Sequence, residues 1–416
     1  MKILIIDILG EVLDLAMKLQ NEGHEVRLHI RNKWDKDIGD GIISKVSAWQ
    51  KYIGWADLII FGDVGFGNLP KKLRDRGKNV IGGTAITDRM ENDREFGMRL
   101  CEMSGIPVPK YHIFDSFKDG KALIAANPRK RYVFKPFGQT PREWTKVLNP
   151  ETQDRVLEYL EDNMKDGKFM LQEFIQGIEM AIGGWFNGTR FVKPVLPNFE
   201  FKKLVEGDEG PNTGEMGSVL IYKDKNKLFT ETLEKAEHVL SSEGYVGYVD
   251  LNCILTEKKP YALEWTTRFG YPTLLIQDEI HKDPWGTFLM SLANASTSTF
   301  RTRKNNWCVG ISVVTLPWPV EVRTEKYKGI PIFIKGNDRH IHYSDVKLKN
   351  GELVTAGNIG YVAVATGHGR DLNTAIQYAQ TRAGNVTVDD GYFRKDIGYR
   401  VLEQLPMIKH LGYMSK

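Results

Sequence analysis

The chain opens on an apolar run, Lys2-Ile-Leu-Ile-Ile6, that ends in Asp7, followed by apolar residues at Val12, Leu15, Ala16 and Leu19. The first pattern reads as a buried strand and the second as an amphipathic helix. Strand patterns recur at 25–30, 57–61 and 79–81. Strands alternating with helices predict a parallel sheet with helices on its faces. Asp88 and Glu91 read as a capping box. The helix they open carries Phe96, Leu100 and Met103 and stops at Gly105, before Pro107 and Pro109.

From about 110 to 302 short strands, hairpins and helices mix. Strands are expected at 131–135 and 169–174, and a hairpin from 180–186 and 190–195 around Asn187-Gly188. A helix is expected at 228–241, and paired strands at 245–255 and 261–265. The polar stretch 294–306 reads as a linker. Beyond it come a strand at 309–316 and an amphipathic helix at 372–383. The pattern predicts an α/β and α+β multidomain chain: an N-terminal α/β domain over 1–108, a second domain over 109–302 with a small lobe at about 112–178, and a C-terminal domain over 303–416.

A length of 416 residues agrees with several domains. Hydrophobic residues at 41% and charged residues at 26% fit a soluble protein. The net charge of +4 is spread along the chain. Nucleic-acid binding, which needs a concentrated basic face, is therefore not expected. No stretch is long and apolar enough for a membrane helix, and the N-terminal run meets an acid too early for a signal peptide. Three scattered cysteines exclude a disulfide framework and point to a reducing, cytoplasmic setting.

Chemistry concentrates in four segments. Gly247-Tyr-Val-Asp250-Leu-Asn252-Cys-Ile-Leu and Tyr261-Ala-Leu-Glu264-Trp-Thr266-Thr-Arg268-Phe-Gly270 carry carboxylates inside apolar strands. Such groups are costly unless paired or bound to a cation. Antiparallel pairing brings Asp250 and Glu264 close, with Asn252 on the face of Asp250. This oxygen-rich set suits Mg²⁺ carrying nucleotide phosphates, with Mn²⁺ as an alternative ion. Arg268 is placed to steady a transferring phosphoryl group. A surface hairpin with solvated carboxylates has the same pattern. Lys135 ends an apolar strand beside Gly138, as a phosphate-binding lysine does and as a snorkelling surface lysine also does. Across 171–179, where Gln172, Glu173, Phe174, Ile175 and Glu179 lie, a strand enters and leaves a turn. Its backbone suits adenine edges and a carboxylate suits ribose hydroxyls; an ordinary hairpin turn reads alike. Finally, 206–217 holds four glycines in twelve residues. That predicts a loop with exposed amides, either against a ligand or simply at the surface.

In this order the four segments resemble the ATP-grasp superfamily, and more closely the glycinamide ribonucleotide synthetase (phosphoribosylamine–glycine ligase) family. Gly210-Pro-Asn-Thr-Gly-Glu-Met-Gly217 is similar to that family's Gly-Pro-Asn-Thr-Gly-Gly-Met-Gly, Glu215 being the exception. Leu263-Glu-Trp-Thr-Thr-Arg-Phe-Gly-Tyr-Pro272 resembles its Leu-Glu-Phe-Asn-Val-Arg-Phe-Gly-Asp-Pro. The segments 349–355 and 392–398, with the helix near Ala375, look like its last domain.

The resemblance implies two ATP-grasp lobes closing on Mg·ATP between an α/β domain and a small C-terminal domain. It implies phosphorylation of a carboxylate and attack on the acyl phosphate by an amine, here glycine and phosphoribosylamine, in purine biosynthesis. Implied ATP contacts are Lys135, Gln172, Glu173, Phe174, Ile175 and Glu179, with Arg142 and Lys146. Implied substrate contacts are Lys202, Lys203, Asp208, Pro211, Asn212, Thr213 and Gly214. Asp250, Glu264, Asn252 and Thr266 would ligate metal, and Asp250, Glu264 and Arg268 would serve catalysis. The partners implied are small molecules, and the protein a monomer or homodimer.

Departures are specific. The family's glycine-rich turn after the first strand is replaced by Asp7-Ile-Leu-Gly10-Glu-Val-Leu-Asp, an acidic and bulky turn ill-suited to a sugar phosphate. Its phosphate-covering loop is replaced by Gly138-Gln-Thr-Pro-Arg-Glu-Trp-Thr-Lys146, with Glu143 at the lysine position, and Thr266 stands for its metal-binding Asn. Two further readings therefore stand beside the family's reaction: a ligase for a different amino acid or amine, and a nucleotide-binding homologue without turnover.

Overall fold

A computed structural model describes residues 1–138, 144–164, 167–320 and 324–414 of the chain. Four parallel strands open it: β1 (Lys2–Asp7), β2 (Glu25–Ile30), β3 (Leu58–Phe61) and β4 (Val80–Ile81), in the order β2-β1-β3-β4. The buried apolar run of β1 reflects its place between two neighbours with cover on both faces. Two helices follow rather than one. Thr84 and Thr87 form the capping box of Ala85–Asn92, and Asp93 caps Arg94–Met103 through the Phe96 amide at 3.0 Å. Asp88, expected as a helix start, lies inside the first of these helices and accepts the Gly67 N–H instead.

A smaller sheet, β5 (Tyr111–Phe114), β6 (Tyr132–Pro136), β7 (Lys146–Leu148) and β8 (Phe169–Glu173), runs in the order β5-β8-β6-β7. With helices Phe117–Ala126 and Gln153–Met164 it closes over its own core, including Phe117, Phe134, Leu157 and Phe169.

The remaining long strands are β9 (Ile178–Asn187), β10 (Phe191–Val205), β11 (Glu209–Ile221), β12 (Val246–Leu255), β13 (Pro260–Thr266) and β14 (Trp307–Thr315). Shorter strands follow: β15 (Ile332–Ile334), β16 (Ile341–Tyr343), β17 (Val346–Lys349), β18 (Glu352–Thr355), then the longer β19 (Tyr361–Gly369), β20 (Val386–Val388) and β21 (Gly391–Tyr392). One nine-stranded sheet takes the order β13-β12-β9-β10-β11-β14-β19-β16, with β21 also on β14. Sheet and core therefore continue across the expected boundary near 302. Two expectations give way. The glycine-rich 206–217 segment is largely strand, paired to β10 through register shifts that absorb its irregular residues. The helix at 228–241 breaks into Lys227–Glu231, a 3₁₀ turn and Glu237–Glu243. Among the described residues no helix is long and apolar enough to cross a membrane.

Candidate active site

The cleft lies between the small sheet and one face of β13, β12, β9, β10 and β11. Period-two alternation decides what that face carries: Glu264 and Thr266 from β13; Tyr248, Asp250 and Asn252 from β12; Asn198, Glu200 and Lys202 from β10; Ser218 from β11. Glycine makes the room. A Cβ at Gly183 would lie 1.8 Å from the Tyr248 hydroxyl and 2.6 Å from Asp250 Oδ2.

Register separates the two carboxylates expected to pair. Asn252 stands opposite Glu264, and Asp250 opposite Thr266, so Asp250 is diagonal to Glu264. The Lys202 ammonium pairs with Glu264 and lies 3.0 Å from Glu200. Asn252 Nδ2 donates to Glu200 at 3.1 Å and to Glu264 at 3.4 Å. Lys202, then Lys135, hold the Glu264 carboxyl well below its usual range. Glu200 and Glu264 raise Lys202 against the opposing effect of burial. Lys135, at the end of β6, is pulled down to about 8 by burial, with Arg94 and Lys202 adding repulsion and Glu264 opposing them. Lys135, Arg94, Lys202 and Glu264 thus share one field.

Asp250 is buried, 5% exposed. Its Oδ2 accepts from Asn198 Nδ2 and the Tyr248 hydroxyl, each at 2.7 Å. Burial, then Glu200, pushes its pKa up to about 7. Among the described residues no group of three or more His, Cys, Asp or Glu is arranged to hold a metal.

Arg268 turns toward the N-terminal sheet. Its Nε lies 3.0 Å from Glu91 and 3.3 Å from Asp63, and Nη1 donates to the Phe269 carbonyl at 2.9 Å. At the end of β1, Asp7 Oδ2 accepts the Gly10 N–H at 2.7 Å. Burial, then Asp63 and Glu11, lifts the Asp7 carboxyl to about 7. The turn's own side chain thus takes up an amide that a phosphate-binding turn would present.

The remaining expected residues scatter by role. Gln172 is buried, with Nε2 3.7 Å from Met98 Sδ, and Glu173 pairs with Lys130 at 2.7 Å. Phe174 and Ile175 lie between β8 and β9, and Glu179 is exposed at the start of β9. Lys146 is exposed on β7, and Arg142 lies outside the described residues. Lys203 Nζ donates to the Gly210 carbonyl at 3.2 Å, and Thr213 to the Lys202 carbonyl at 2.8 Å. Pro211, Asn212 and Gly214 line the same bulged hairpin. Asp208 is held by Arg394 at 3.0 Å and by Arg400, an anchor to the C-terminal region. Glu200, Asn198, Tyr248 and Arg94 are additions of the structure. For Asn198 and Glu200 the signal was the alternation Asn198-x-Glu200-x-Lys202, in a strand expected to stop at Val195, and for Tyr248 it was the two-residue spacing from Asp250 on β12.

Comparison with known proteins bears on this cleft. Residues 92–274 match the family described as phosphoribosylglycinamide synthetase, ATP-grasp (A) domain. The Gallus gallus trifunctional purine biosynthetic protein adenosine-3 is 27% identical over 362 residues, 82% of this chain and 35% of its own length. The chain thus spans about a third of that relative. A Thermotoga maritima phosphoribosylamine–glycine ligase is 26% identical over 394 residues, 90% of this chain and 94% of that one. The solved structure of a T. maritima phosphoribosylamine–glycine ligase shares the fold, with a TM-score of 0.74 at 22% identity over 95% of this chain and 100% of that one. Campylobacter jejuni biotin carboxylase follows at 0.66 and 12%, over 99% and 98%.

Proposed function

We propose that this chain, an ATP-grasp protein resembling phosphoribosylamine–glycine ligase, is an ATP-dependent carboxylate–amine ligase that forms an amide through an acyl phosphate. One observation carries the reading: Lys135 and Arg94 act on Glu264, which pairs with Lys202, and Lys202 also pairs with Glu200. Phosphoryl transfer is catalysed by positioning and charge stabilisation, and this arrangement supplies both. Lys135, whose ammonium burial weakens in the free protein, gains a partner when nucleotide phosphates arrive. Lys202 neutralises charge on the carboxylate side. Glu200 and Glu264 fit a divalent cation, since their oxygens are already gathered around one positive charge; Asn252, Thr266 and Asp250 stand beside them. Mg²⁺ bound there with ATP supplies further neutralisation of the phosphates. Closure of the small sheet over the cleft excludes water from the acyl phosphate.

The family's pair, glycine and phosphoribosylamine, is the first reading of the substrates and places the reaction in purine biosynthesis, in the cytoplasm. The capped, acidic turn at Asp7 favours a second: the same chemistry with a different amine. A screen of carboxylates and amines with Mg·ATP tests both, read by ADP release and by mass spectrometry of the product. Phosphoribosylamine-dependent amide formation supports the first, and an amide with another amine only supports the second. ATP binding with no ADP release on any pair overturns the ligase reading and leaves a nucleotide-binding protein.

A further inference from the structure

A cavity outside the residues described above opens beside the loop 356–361, which joins β18 to β19. Its volume is about 370 Å³, at the small end of the range for ligand pockets, and it is partly open to solvent. Its walls are largely apolar. Leu316 and Val320 are exposed at the rim, and Tyr327 and Ile359 are half-buried. Trp318 and Tyr361 are buried behind them, edge to face with ring centres 5.0 Å apart. One amide joins these walls: Asn358 is 8% exposed, and its Oδ1 is buried with no hydrogen-bond partner. A buried acceptor in that state asks for a donor.

The loop itself decides which ligands are refused. Gly357 and Gly360 hold left-handed backbone, with φ of +65° and +94°, and such turns present successive amides to an anion. Here the chain's own carboxylates take those amides. Gly357 N–H donates to Asp37 Oδ1 at 3.1 Å and Asn358 N–H to Asp35 Oδ1 at 2.8 Å. Gly360 and Tyr361 N–H donate to Asp345 Oδ2 at 3.1 and 3.3 Å. Asp35 and Asp345 are buried. A phosphate at this loop would find its amides occupied and negative charge behind them. The cavity also adjoins the cleft. The Tyr361 hydroxyl accepts the Glu215 N–H at 2.8 Å and donates to the Glu215 carbonyl at 2.5 Å, and Tyr271, beyond Arg268, packs against the Tyr361 ring at 4.9 Å.

We propose that this cavity seats the side group of the acceptor amine, and that the acceptor is an unphosphorylated amine carrying an aromatic or similarly bulky apolar group with a hydrogen-bond donor for Asn358. Its role as acceptor rests on the ligase reading above; the binding of such a group in the cavity does not. Leu316, Val320, Tyr327 and Ile359 then select for apolar area, Asn358 for the donor, and the carboxylate-filled loop against phosphate.

Calorimetry on the full chain, with Mg²⁺ and a non-hydrolysable ATP analogue present, tests this with tyramine, phenethylamine, ethanolamine and O-phosphoethanolamine. Tyramine should bind at least about tenfold tighter than ethanolamine, through the apolar walls. It should bind at least about threefold tighter than phenethylamine, through the donor to Asn358. O-phosphoethanolamine should bind weakest. Asn358→Leu should erase the difference between tyramine and phenethylamine and leave both ahead of ethanolamine. Val320→Asp, at an exposed position, should weaken both aromatic amines at least about fivefold. Melting curves confirm that each variant folds, and if Asn358→Leu does not, the Val320→Asp result decides. No binding of the aromatic amines, equal affinity for tyramine and phenethylamine, ethanolamine or O-phosphoethanolamine binding as tightly as tyramine, or affinities unchanged in Val320→Asp would overturn the proposal. ADP release measured in parallel keeps the two readings apart. Aromatic amines that bind but give no ADP release with any carboxylate retain the cavity as a binding site and remove the ligase reading. ADP release with an amine whose binding ignores Val320→Asp retains the ligase reading and overturns this one.

Discussion

Asp250→Asn should make the ligand-free protein more stable, and only where the pH is high enough for Asp250 to ionise. The unfolded chain releases this proton near the ordinary 3.8, whereas the folded chain holds it until about 7. Between those values the native state binds the extra proton, so stability falls as pH rises, and it levels off above 7. A span of about three pH units at about 1.4 kcal/mol each amounts to about 4 kcal/mol at pH 8. Relaxation and water entry reduce this, and a gain of about 1–3 kcal/mol is expected for the variant. Asparagine keeps an oxygen for the Tyr248 hydroxyl and Asn198 Nδ2. Urea denaturation of both proteins at pH 4 and pH 8 measures the effect. Near-equal stability at pH 4 and a clear gain at pH 8 are expected. A variant less stable at pH 8, or one whose gain is the same at both pH values, would refute the reasoning. It would show that Asp250 is already compensated in the free protein.

Glu264→Gln should lower turnover by about a hundredfold or more with the melting temperature nearly unchanged, since it removes a partly exposed carboxylate from the phosphate field; ADP-release kinetics check this. Gly183→Ala should destabilise the fold by about 2 kcal/mol, because its methyl would overlap the Tyr248 hydroxyl and Asp250, as urea denaturation would show. Arg394→Met should cost about 3 kcal/mol: Arg394 is fully buried, and its loss leaves Asp396 without its cation and Asp208 with Arg400 alone. A melting temperature within about a degree of the parent would mean that the network contributes little.

The local grammar of the chain was legible from residue order. The apolar run of β1, the hairpin at Asn187-Gly188, the helix Leu372–Ala383 and the carboxylates set into β12 and β13 all follow from periodicity, and each is decided by near neighbours. Boundaries failed where two local signals competed. Asp88 looked like a cap, but Thr84 and Asp93 took that role because their own side chains reach the amides of Thr87 and Phe96. The glycines of 206–217 suggested a loop, yet long-range pairing with β10 drew the segment into the sheet. Sequence also gave the residue types of the site: Lys135, Glu264, Asp250, Lys202. It could not give their grouping. A one-residue change of register moves every side chain to the other face, and a two-residue offset changes which pair stands directly opposed. Only the folded sheet placed Asn252 rather than Asp250 against Glu264, brought Asn198, Glu200 and Ser218 under Asp250, and turned Arg268 toward Asp63 and Glu91. Asn252 and Glu264 are 12 positions apart, but Asn198 and Asp250 are 52 apart and Arg268 and Glu91 are 177 apart, and packing between strands, rather than the pattern along any one of them, decides which carboxylates meet a cation.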